Sequence, residues 1–260
     1  MMDHNKTLRA ARLLEQLQRS HSFHSAGANG VERELGVLRG WQSARLARTY
    51  ADLLSSPRYR PAAEFFLDEL YGDRDLRQRE HELARIVPAM THILPADTLH
   101  TVALALELNA LSHELDAQLT RILVAEFAFR DAVNEAAYIA AYRRCANYEQ
   151  RRHQIDLVER LGRDLQGIVR KRLIQAALTV ARAPARLAGL GELHRFLETG
   201  FRAFRHMDAD AAIFVTTVVS RERAILERIR AGHPQPLELT GEEDGYAELE
   251  GTESWNISSR

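Results

Sequence analysis

The 260-residue chain predicts an all-α fold, a multi-helix bundle of about eight to ten helices. Three observations carry that reading. Apolar residues recur at helical spacing almost everywhere: Leu104, Leu108, Leu111, Leu115 and Leu119 form one stripe, and Leu193, Phe196, Leu197, Phe201 and Phe204 another. Sustained period-two alternation is missing. The one run rich in β-branched residues, 212–220, sits between "HMDAD" and "RERAILERIR", so it reads as a buried helix capped by Asp208 or Asp210.

Breakers then set the elements in order. An N-terminal helix leads into the loop "SFHSAGANG", 22–30. In "LLSSPRYRP" Ser56 reads as a cap with Pro57 at the first helical position. Tyr71 and Gly72 end that helix, and Asp75 with Gln78 has the capping-box spacing for the next, which Pro88 kinks. "ILPAD" opens another helix. Residues 131–182 hold no proline and predict one helix about 75 Å long, bent at Gly162 or Gly167. "ARAPARLAGLG", 181–191, is the clearest later break. The segments are then an N-terminal helix and loop (1–30), a helical lobe (31–130), a second lobe with the long helix (131–235) and an acidic disordered tail (236–260), into which Tyr246 and Trp255 fall.

Composition narrows the function classes. Hydrophobic residues make up 45% and charged residues 27%, as in ordinary soluble proteins. A lone cysteine, Cys145, excludes an intrachain disulfide and fits a reducing compartment. The polar start lacks the apolar run of a signal peptide, and no stretch has the length of a bilayer span, so the sequence predicts a cytoplasmic protein of bacterial type with no membrane partner. Net charge is −1, with seven acids gathered in 236–260. The body before them is only mildly basic, which argues against nucleic acid. All basic residues except Lys6 and Lys171 are arginine, either a coding bias or a choice of forked donors for anions.

In "PAAEFFLDELYGDRDLRQRE", 61–80, Ala62, Phe65, Phe66 and Leu70 share a helix face while Glu64, Asp68 and Glu69 lie off it, so the carboxylates belong to the solvated arc. Tyr71 and Asp75 remain as a pocket rim. No Glu-x-x-His occurs, which counts against a di-iron bundle. Cys145, Glu149, His153 and Asp156 step along one face, but the apolar stripe Ile155, Val158, Leu161 and Leu165 runs on another side, so the quartet reads as exterior. Arg151, Arg152, Arg170, Lys171 and Arg172 read as solvated basic clusters. There is no G-x-S-x-G elbow, and nothing lowers the pKa of Cys145 on a continuous helix. Gly200 lies on the apolar face of its helix, where the cost of a mid-helix glycine implies close approach of another helix. His194 and His206 read as satisfied or exposed.

The order "LARTYADLLSSPRYRPAAEFFLDELY", a charged helix, then "LALELNALSHELDAQL" resembles the middle of a globin over residues 40–120. That resemblance implies haem, with Phe65 packed on the ring and His113, 48 residues later, as proximal ligand. Asn109 departs from the leucine usual one turn earlier, and His113 shares its face with Leu106, Ala110 and Ala117.

The residues themselves favour a non-catalytic binding or regulatory module, homodimeric, with no cofactor. The globin-like reading makes it a haem or tetrapyrrole sensor using His113. A third reading is an enzyme acting on a small hydrophobic ligand near Phe65, Phe66 and Tyr71. The first reading assumes that reactive groups point to water. Two acids meeting in the interior would remove that ground.

Overall fold

In the computed structural model the described residues are 30–70, 82, 85 and 96–239. They are helical, with no strand among them. The all-α class is what the stripes predicted. In chain order the helices are α1 (Glu32–Thr49), α2 (Ala51–Ser55), α3 (Arg60–Leu70), α4 (Ala96–Glu126), α5 (Glu135–Cys145), α6 (Tyr148–Val169), α7 (Arg172–Leu187), α8 (Gly191–Met207) and α9 (Ala211–Ala231), with a 3-10 turn at Asp208–Asp210 before α9. The expected loop at 22–30, except Gly30, lies outside the described residues, as do Tyr71, Gly72, the Asp75–Gln78 cap and Pro88.

Helix α6 is the hub. It packs along α9 on one side and α4 on another, and it also touches α8. Two large apolar cores form along it, besides a smaller cluster of Leu104, Leu108 and Leu157 where it meets α4. One gathers Leu53, Tyr59, Ala62, Phe65, Phe204, Met207, Phe214 and Val215 from α2, α3, α8, α9 and the chain between α2 and α3. The other gathers Leu38, Leu119, Leu123, Tyr138, Tyr142, Ile225 and Ile229 from α1, α4, α5 and the second half of α9. The run 212–220 is helix, buried on one face, where Phe214 and Val219 are almost fully enclosed, but exposed on the other, where Ile213 is 39% exposed. Asp210 stands at its N-cap position, although its side chain makes no capping bond there.

The single long helix expected over 131–182 is three helices. Asn134 starts α5 by accepting bonds from Ala136 N (2.8 Å) and Ala137 N (3.3 Å). Ala146 ends it in the left-handed region, φ 52°, so the chain turns before α6 begins. A second break falls at Arg170–Lys171. Neither Gly162 nor Gly167 bends the chain out of α6. The absence of proline removes one helix breaker, but an αL residue breaks a helix as well.

Boundaries moved elsewhere too. Ser56 ends α2 in an extended conformation, and a turn through Pro57 carries the chain to α3 at Arg60, three residues later than the cap pattern placed it. Helix α7 continues through Pro184 to Leu187 before the chain breaks. In the expected tail, residues 236–239 pack: Pro236 is buried and Leu237 and Leu239 lie on the second core, because the Arg228 guanidinium bonds the carbonyls of Gln235 and Glu238, both at 2.8 Å. The rest of the tail, with Tyr246 and Trp255, lies outside the described residues.

Glycine placement marks the tightest crossings. A Cβ on Gly200 would lie 2.7 Å from Phe65 Cζ, so α3 makes the close approach that this position implied. A Cβ on Gly162 would lie 2.5 Å from Val215 Cγ2, where α6 crosses α9. One buried cation also ties helices together. Arg221, 2% exposed, forks onto Asp52 at 2.8 and 3.2 Å and donates to the Thr49 carbonyl at 3.0 Å, which locks α2 to α9.

Candidate functional site

The sequence-predicted site residues do not converge. Phe65 and Phe66 meet edge-on with centroids 6.3 Å apart, and Phe196, Phe204 and Phe214 surround them. They build the first core. His113 is on α4 against α1, where its Nδ1 accepts from the Arg39 guanidinium. A bond accepted at Nδ1 puts the neutral imidazole's proton on Nε2. Tyr71 lies outside the described residues. His194 is buried and bonded through Nε2 to the Leu178 carbonyl at 2.7 Å, and His206 is exposed beside the Pro57 carbonyl. The quartet is dispersed: the α5–α6 break separates Cys145 from the others, His153 pairs with Glu107, Glu149 with Arg152, and Asp156 with Arg223. Among the described residues no three His, Cys, Asp or Glu side chains gather to hold a metal.

A different place collects polar side chains in the interior. Where α1, α4, α5, α6 and α9 converge, a cleft of about 50 Å³ is lined by Gln42, Arg45, Asp116, Tyr138, Tyr142, Arg151, Gln154 and Glu222. Ile225, Leu226 and Ile229 form an apolar wall, and Leu237 stands at the C-terminal side. The expectation that reactive groups all face water fails here, because Asp116 and Glu222 both reach this cleft.

Each helix delivers its polar group on its core-facing stripe. Helix α1 buries Leu35, Leu38, Gln42 and Arg45 in steps of three and four. Arg45 grips Glu222 with both terminal nitrogens, at 2.8 and 3.3 Å. The Tyr50 hydroxyl adds a third bond to Glu222 at 2.9 Å. Burial opposes the charge on Arg45, but Glu222 outweighs it and holds the guanidinium charged more firmly than usual. Asp116 accepts from Gln42 at 3.1 Å and faces Arg39 at 3.8 Å.

Arg151 is the exception. It was expected on the surface with Arg152, yet it is only 6% exposed. Its nearest acceptors, Gln154 Oε1 and the Leu115 carbonyl, are both at 3.4 Å, the long limit of a hydrogen bond. Its Nε is buried and makes no bond. The guanidinium lies over the Tyr142 ring, 4.8 Å from the centroid. No carboxylate forms an ion pair with it among the described residues, whereas Arg45 and Arg221 each have one. Burial opposes its charge, the Tyr142 and Tyr138 phenols and Asp116 favour it, and the guanidinium stays charged with no carboxylate at ion-pair distance among the described residues.

The tyrosines complete the lining as donors. Burial pushes the phenol pKa of Tyr138 and of Tyr142 upward, against the pull of Arg45 and Arg151. Burial likewise pushes the Cys145 thiol up. A raised phenol pKa gives a pH signature. The unfolded tyrosines ionise near the ordinary value of about 10, before the folded ones, so the protein binds more protons than the unfolded chain above that pH. Their contribution is intact below about pH 10 and is lost as the pH climbs through the folded values. The urea midpoint of the wild type is therefore expected to fall more steeply between pH 9 and 11 than that of a Tyr138→Phe/Tyr142→Phe variant. Parallel curves would contradict this.

No curated protein and no solved structure matches the chain. A family model does, over residues 21–236, which takes in α1 to α9 and every cleft residue except Leu237. By that match the chain belongs to the family described as Domain of unknown function (DUF8198).

Proposed function

We propose that this protein is a non-catalytic helical binding module that takes the anionic group of a small ligand, a carboxylate or a phosphate, into the cleft at Arg151. The reading is supported above all by one observation: Arg151 is buried and charged, has only two long hydrogen bonds, and faces the cleft with no carboxylate at ion-pair distance among the described residues, Asp116 acting on it only from farther off. A planar guanidinium presents paired donors to such oxygens. The neighbouring phenols supply further donors.

Two acids inside the molecule are the pattern expected of an enzyme, so the non-catalytic reading cannot rest on outward-facing carboxylates. It rests on what those carboxylates already hold. Glu222 is held at both oxygens by Arg45 and again by Tyr50, while Asp116 accepts from Gln42 at Oδ1 and turns Oδ2 toward the Arg39 cation 3.8 Å away. A general base needs a free oxygen within reach of the proton it removes.

The test is thermal unfolding of wild type and Arg151→Met with phosphate or acetate at constant ionic strength. An anion at about ten times its Kd is expected to stabilise the wild type by about 1.4 kcal/mol, a Tm rise of about 3–6 °C. Arg151→Met should lose that rise. Without anion it should unfold at the wild-type temperature or above it, because an apolar side chain replaces an unmatched buried charge. Equal anion responses in the two proteins would sink the proposal.

A further inference from the structure

Helix α7 is unlike the others: none of its residues is buried. Ile174, Leu178 and Ala185 are half-buried on the side toward α8, and the opposite side is apolar too. Leu173, Val180 and Leu187 are 85%, 77% and 90% exposed, the most exposed large apolar side chains described. They stand seven residues apart, with exposed Ala176, Ala177, Ala183 and Pro184 between them. On a helix these positions fall within one arc of about 120°, which contains no charged residue.

The charges beside that arc share one sign. Residues 165–191 hold no Asp or Glu, but they hold Arg170, Lys171, Arg172, Arg182 and Arg186. Arg182 is matched by Glu198. Among the described residues no carboxylate pairs with Arg170, Lys171, Arg172 or Arg186. Three of these cations stand at the helix N-terminus, where the backbone already presents positive charge and where acids normally go. Lys171 holds the N-cap position without a side-chain capping bond. Arg170 also caps the C-terminus of α6, where a cation is favourable, but Lys171 and Arg172 gain no ion pair among the described residues, whereas an external anionic surface would answer them.

We propose that α7 is a membrane-surface contact: its Leu173–Val180–Leu187 face enters the interface of an anionic bilayer while Arg170, Lys171, Arg172 and Arg186 meet the lipid phosphates. An apolar arc edged by Lys and Arg is the pattern of helices that lie in a lipid interface. No helix among the described residues is long and apolar enough to cross a membrane. That finding concerns crossing and leaves surface contact open. A second copy of the chain fits the face less well. Antiparallel pairing about Val180 would oppose Leu173 and Leu187, but it would also bring together two sets of cations that no acid among the described residues answers. The contact is independent of the cleft.

The experiment is co-sedimentation of the full-length protein with phosphatidylcholine vesicles and with mixed phosphatidylcholine–phosphatidylglycerol vesicles. Binding is expected to the anionic vesicles only, and to weaken as salt rises. Lys171→Glu/Arg172→Glu should weaken it at least tenfold, since each basic residue near an anionic surface is worth about fivefold in partitioning. Leu173→Glu/Leu187→Glu should abolish it. Both variants change exposed positions, and an unchanged circular-dichroism melt confirms that each is folded. Absence of binding by the wild type overturns the proposal, as does equal binding by the leucine variant. A concentration-dependent dimer that the leucine variant converts to monomer, without vesicle binding, assigns the face to a second copy instead.

Discussion

Gly162→Leu is expected to destabilise the protein by about 3 kcal/mol, the upper end of the cost of overpacking a core. The Cβ alone would stand 2.5 and 2.8 Å from the two γ carbons of Val215. Val215 cannot swing away, because it is buried on α9 and its branched side chain is held in one helical rotamer. The helix-propensity gain on leaving glycine, under about 1 kcal/mol, is too small to compensate. Gly167 supplies the control on the same helix. A Cβ there meets nothing within 4 Å, so Gly167→Ala should stabilise by about 0.5–1 kcal/mol. Opposite signs in urea unfolding would show that α6 and α9 touch at Gly162. A neutral Gly162→Leu would show that they do not. A Gly162→Ala/Val215→Ala cycle should return a favourable coupling, since the second change makes room for the first.

Asp52→Ala is expected to cost about 3 kcal/mol. It removes the carboxylate that both terminal nitrogens of Arg221 face, and it leaves a cation that is 2% exposed in the first core. The figure sits at the low end for a broken buried pair because the Asp52 side chain is 26% exposed and already partly solvated. Arg221→Met/Asp52→Ala should recover much of the loss, since an apolar chain of similar reach fills the space beside the Tyr50 ring without needing a counter-ion. Denaturant midpoints of the single and double variants decide it. A double variant as unstable as Asp52→Ala would mean that lost packing, and not stranded charge, sets the cost.

Fold class was legible because burial obeys helical period. The Leu104–Leu119 stripe and the α3 face, with Ala62 and Phe65 inward and Glu64 and Asp68 outward, stand where spacing put them, and the Phe204 stripe does so except for Leu197, which is 43% exposed. The cleft was nearly legible. The stripe Ile155, Val158, Leu161 and Leu165, stepped back by four, lands on Arg151. Val215 and Val219, continued by three, land on Glu222, and Leu35 and Leu38 continue to Gln42 and Arg45. A polar residue on an apolar stripe is the signal, and reading Arg151 with its neighbour Arg152 as a surface cluster hid it. The breaks at Ala146 and Arg170 left no comparable mark. Alanine is the best helix former, and its left-handed conformation at 146 is imposed by tertiary packing that local sequence does not record.

The chain that leaves α9 is fastened at several points. Arg143 bonds the Ile229 and His233 carbonyls, Arg228 holds those of Gln235 and Glu238, and Leu237 is thereby laid at the cleft. Under the proposed function, an anion entering from that side would meet this fastened segment on its way in and again on its way out. Loosening it with Arg228→Ala would then speed arrival and departure together and shorten residence without altering the groups that grip the guest. On that reading, the groups that hold the anion and the segment that governs its passage are separate parts of the molecule.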